Sequence, residues 1–72
     1  MKMTKIYIAI FHLEEDNWNL YELNPETRNP KGSPVVSNDE SLYELLEEAR
    51  EYGIPREAVV GKAQDNMVPM FE

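Results

Sequence analysis

The chain has 72 residues, with fourteen acids against seven bases, a net charge of −7, one histidine and no cysteine. That length supports one small domain over residues 1–72, which buries only about 60% of its unfolded surface. The composition excludes disulfides and leaves too few ligands for a structural zinc site. It also argues against direct contact with nucleic acid or anionic membranes, because both need clustered lysine and arginine.

The first stretch, MKMTKIYIAIF, sets Lys2 and Lys5 before an apolar run, as a targeting peptide would. The run is short, β-branched and aromatic, with no small-residue cleavage site after it, so it reads as a strand. Within residues 5–13, Ile6, Ile8 and Ile10 fall on one face and Tyr7, Ala9, Phe11 and Leu13 on the other. Two apolar faces predict a central strand covered on both sides. Glu14, Glu15, Asp16 and Asn17 then form a polar break, and residues 18–23 alternate again, which predicts a hairpin with a loop of about four residues. His12, close to that turn, reads as a solvated or cross-strand residue. The three acids lack the spacing of a calcium loop and read as a solvated turn.

Residues 24–34 (NPETRNPKGSP) carry three prolines and a glycine and are expected to be irregular. Arg28 and Lys31 make this loop locally basic, suited to a small anion, although a solvated loop is the plainer reading. Val35 and Val36 are expected to form a short third strand.

Residues 37–53 (SNDESLYELLEEAREYG) read as one amphipathic helix. Ser37 and Glu40 match a capping box, with Asn38 or Asp39 as alternative caps. Gly53, Ile54 and Pro55 supply the stop. At 100° per residue, Leu42, Leu45, Leu46, Ala49 and Tyr52 gather within roughly 120°, and Glu40, Glu44, Glu47, Glu48 and Glu51 occupy the opposite side. The pairs Glu40/Glu44, Glu44/Glu48 and Glu47/Glu51 each cost a few tenths of a kcal/mol. A stripe that tolerates this cost, bordered by Tyr43, suits docking on a basic partner, although the ordinary surface of an acidic protein is the plainer reading. The candidate partner-binding residues are therefore Glu40, Tyr43, Glu44, Glu47, Glu48 and Glu51.

Beyond the helix, Pro55, Arg56 and Glu57 can start a helical turn, Ala58, Val59 and Val60 read equally well as a strand, and residues 61–66 look turn-like. Met67, Val68, Pro69, Met70 and Phe71 suit an edge strand or an extended arm. With Trp18 and Tyr21 they give more apolar surface than one helix covers. Either the C-terminal segment or a second copy of the chain must cover the rest.

Catalytic sets are hard to assemble. His12 is the only imidazole, Gly32, Gly53 and Gly61 are isolated rather than forming a phosphate loop, and Ser33, Ser37 and Ser41 lack a nucleophile motif. An enzyme would need His12, Arg28 and Lys31 to converge. No catalytic, cofactor or metal residue is assigned.

The order strand, acidic turn, aromatic strand, short strand, then a helix opening Ser37-x-x-Glu40 resembles the small antitoxin domains of the HicB type. Their proline-glycine strand-end motif is missing between Tyr21 and Val36, so the resemblance carries over no residues.

These readings converge on an α+β domain: a three- to four-stranded, mainly antiparallel sheet with one helix on one face, in the order β-β-(β)-α-β. The expected function is a cytoplasmic, non-enzymatic regulator or inhibitor that docks a basic, including a nucleic-acid-handling, protein through the glutamate stripe. A self-associating homodimer and an antitoxin-like regulatory domain are the alternatives.

Overall fold

The computed structural model describes residues 5–65 and 70–71. Its nucleus is the expected hairpin of β1 (Ile6–His12) and β2 (Asn17–Leu23), paired antiparallel from Ile6↔Leu23 to His12↔Asn17. Residues 13–16 turn the chain, closed by the Asp16 N–H donating to the His12 carbonyl at 2.8 Å. Asp16 adopts φ 56°, a left-handed conformation that a short polar side chain tolerates. The register sorts the side chains: Ala9↔Leu20 and Phe11↔Trp18 share one face, and Ile6↔Leu23, Ile8↔Tyr21 and Ile10↔Asn19 share the other.

Strand β3 (Pro30–Asp39) pairs antiparallel with β2, β4 (Val59–Gln64) runs parallel to β1, and the two-residue β5 (Met70–Phe71) pairs antiparallel with β4. The sheet order is β3-β2-β1-β4-β5, which places β1 at the centre as its two apolar faces require. The fold is α+β, with a mostly antiparallel sheet and, among the described residues, a single α-helix, α1 (Leu42–Glu51). Leu45 and Ala49 of α1 pack with Ala9, Leu20, Val36, Ile54, Ala58 and Val59, flanked by Tyr7, Trp18, Leu42 and Leu46. On the face away from α1, Ile8 (0% exposed) and Leu23 (1%) are also fully buried within the single chain.

Four expectations change. The helix starts at Leu42 and not near Ser37, because a second Ser-x-x-Glu lies four residues on. Ser41 Oγ accepts the Glu44 N–H at 3.1 Å, and Glu44 Oε1 accepts the Glu40 N–H at 3.2 Å. Ser37 belongs instead to β3. The expected loop ends early: Asn24 Oδ1 accepts the N–H groups of Glu26 and Thr27, and β3 begins at Pro30. Prolines are tolerated there because β3 is an edge strand. Its register breaks twice, so Lys31 lies opposite Glu22 and Val36 opposite Leu20. Gly32 (φ 58°) and Asn38 (φ 69°) sit in those breaks. Buried Asn19 serves the second break through its Oδ1, which accepts the Asn38 N–H at 3.0 Å.

Third, Gly61 to Gln64 are strand rather than turn, held by parallel pairing with Ile8 to Phe11. A 3₁₀ turn at Arg56–Ala58 leads into them. Fourth, Tyr52 is 63% exposed instead of joining the apolar stripe, because as C-cap residue (φ −88°, ψ 1°) it has left helical geometry. The stop itself is as expected. The Ile54 N–H reaches the Ala49 carbonyl at 2.9 Å and the Gly53 N–H reaches Arg50 at 3.0 Å, with Gly53 at φ 89°. Of the apolar terminal residues, Met67, Val68 and Pro69 lie outside the described residues, as do Met1 to Thr4 with Lys2.

Candidate functional site

Once α1 docks Leu45 and Ala49 on the sheet, its helical period turns the glutamates outward. Glu40, Tyr43, Glu44, Glu47, Glu48 and Glu51 then line one shallow surface concavity of about 670 Å³, together with Asn38, Asp39 and Tyr52. All six sequence-predicted residues are thus brought onto one surface. Tyr43 is 73% exposed, so the concavity has an exposed aromatic from within α1 and a second, Tyr52, from its cap. Relief from positive charge is slight: Arg50 approaches Glu47 at 3.8 Å, and both side chains are exposed. Glu44 has a structural duty as well, because it completes the helix cap.

Sequence reasoning missed Asp39 as part of this surface. It lies opposite Trp18 in the β2–β3 ladder, which carries its carboxyl beneath the first turns of α1. Asp39 Oδ2 is buried with no hydrogen-bond partner among the described residues. Burial first, then the neighbouring Glu48 carboxyl and the charge of Glu44, push its pKa up from 3.8 to about 6. The physical picture is a carboxyl that holds its proton against a neighbouring carboxylate. The only sequence clue was the position of Asp39 beside the glutamate stripe.

Lys31 and His12 do not converge on a single site. Lys31 pairs with Glu22 at 3.4 Å, and Glu22 lies opposite Tyr7, at the far end of β1 from His12. Among the described residues, no group of three or more His, Asp or Glu side chains is placed to hold a metal ion. No described helix is long and apolar enough to cross a membrane. His12 is a cross-strand residue, as expected. Its contacts go to two residues that sequence reasoning did not join to it: Tyr21 Oη at 3.0 Å from Nε2, and Asp65 Oδ1 at 2.9 Å from Nδ1. No family model, curated protein or solved structure matches the chain.

Proposed function

We propose that this protein is a non-enzymatic, cytoplasmic regulator or inhibitor that docks a basic protein surface through the outer face of α1. The observation that carries the reading is the gathering of five glutamates and two exposed tyrosines around one concavity. Tyrosine is enriched at the centres of protein interfaces, where its ring adds contact area at small entropic cost. The surrounding carboxylates would steer a basic partner into place, a contribution that shows first in association rate and salt dependence. A basic partner also relieves the repulsion between glutamates, so part of the energy of docking is already stored in the free protein. Proteins that handle nucleic acid have basic surfaces of this kind.

The test is capture of a partner by the wild-type chain and by the variant Glu44→Gln, Glu47→Gln, Glu48→Gln, Glu51→Gln. Glutamine at position 44 still serves the capping box, so the helix is kept. Capture that weakens with salt and disappears in the variant supports the reading. Equal capture by both proteins refutes it. The homodimer reading ranks second, because Ile8 and Leu23, on the face without a helix, are already buried in one chain.

A further inference from the structure

A separate groove of about 370 Å³ opens on the sheet face away from α1, where Ile10 and Tyr21 project. Its walls are Ile10, Pro30 and Ala63, and its polar groups are His12, Tyr21, Gln64 and Asp65. A volume of this order with apolar walls and a few converging polar groups is the usual form of a small-molecule site.

The polarity of the groove follows from one hydrogen-bonded chain. Asp65 is fixed from three sides: its N–H donates to the Phe11 carbonyl at 3.1 Å, its Oδ2 accepts the Leu13 N–H at 3.2 Å, and its Oδ1 lies 2.9 Å from His12 Nδ1. A carboxylate only accepts, so in the neutral imidazole the proton sits on Nδ1 and the lone pair on Nε2. Nε2 therefore accepts the Tyr21 O–H at 3.0 Å. The hydroxyl proton is committed to His12, and Tyr21 Oη can offer a ligand only lone pairs. The groove selects for a hydrogen-bond donor.

Charge narrows the class further. Asp65 forms part of the lining, and a Glu15 carboxylate oxygen lies 3.9 Å from His12 Nδ1. No lysine or arginine is among the described lining residues. Tyr21 senses this field: burial first, then Asp65 and Glu15, raise its pKa above 10.0. Burial disfavours any charge there, but the two carboxylates favour a cation over an anion at the same place. We infer that this groove binds a small organic ammonium ion, with its apolar body against Ile10, Pro30 and Ala63 and an N–H donated to Tyr21 Oη. The inference does not depend on the reading of the α1 face, which lies on the other side of the sheet.

The experiment is an amide NMR titration of the full chain with benzylammonium chloride at neutral pH, with benzyl alcohol, benzoate and N-acetyl-lysine amide in parallel. Expected are saturable shifts centred on Ile10, Tyr21, Ala63 and Gln64 with benzylammonium, weaker binding of the alcohol and none of benzoate. Tyr21→Phe removes the acceptor and should weaken binding by about tenfold, the loss of one charge-assisted hydrogen bond. Ala63→Leu fills the groove without touching the polar chain and should abolish binding, which keeps the test decisive if Tyr21→Phe disturbs the fold. The fourfold glutamine variant of α1 should bind as wild type does. Equal binding of benzoate, no saturable shifts with either ammonium compound, or shifts confined to α1 and lost in the glutamine variant would each overturn the inference.

Discussion

Asp39→Asn replaces a carboxyl that the fold prefers protonated with a neutral amide of the same shape. Asp39 binds its proton more tightly in the folded chain, with a pKa of about 6, than at its ordinary value of 3.8. Ionising it therefore weighs against folding. That handicap is absent below 3.8, grows as pH rises towards 6, and stays at its full value above. At about 1.36 kcal/mol per tenfold change in proton affinity, the full value is about 3 kcal/mol. Solvent around exposed Glu44 and half-buried Glu48 screens their share, which brings the expectation to about 1–2 kcal/mol. Urea unfolding of both proteins across this pH range measures the difference, because the carboxylates away from Asp39, Glu44 and Glu48 cancel between them. The variant should gain about 1–2 kcal/mol at neutral pH and lose that advantage as pH falls to the ordinary carboxylate value. A difference that stays constant with pH, or a variant less stable at neutral pH, would refute the account of a proton held against Glu48.

The revised helix start makes Ser41→Ala cost about 0.5–2 kcal/mol in urea unfolding. Ser37→Ala, exposed in an edge strand, should stay within about 0.5 kcal/mol. For Gly53→Ala, an added Cβ meets nothing within 4 Å, so only the φ of 89° resists it. A lowered melting temperature corresponding to about 1–2 kcal/mol is expected. Leu45→Ala opens a cavity under α1 at a residue with 0% exposure and should cost about 2–5 kcal/mol in the same assay. A loss below about 1 kcal/mol would mean that α1 is not docked as described.

What was legible in the sequence is what local chemistry determines. The hairpin is written in the alternation of residues 6–12 and 17–23 around an acidic turn, and the helix stop in Gly53-Ile54-Pro55. The glutamate stripe needed only the helical period, so its residues were found together. The helix start was misread because two Ser-x-x-Glu phases stand four residues apart, and only the pairing of Asp39 with Trp18 shows that the first is spent in β3. The extent of β3 was hidden because prolines normally argue against a strand, and an edge position removes the objection. Strand β4 looked turn-like because Gly61, Lys62, Ala63 and Gln64 have little strand propensity of their own and are held by β1. Asp65 could not be joined to His12 from spacing, since only the parallel β1–β4 register brings them together.

That parallel register also governs the order in which the molecule can be made. The hairpin, β3 and α1 need only neighbouring stretches of chain, but the second flank of β1 stays unpaired until residues 59–64 have been synthesised. Long-range closures of this kind are slow relative to hairpins and helices. Until then the nascent chain carries the bare edge of its most isoleucine-rich strand, the kind of edge that recruits other strands. A product cut short before Val59 would keep most of the secondary structure and be prone to aggregate.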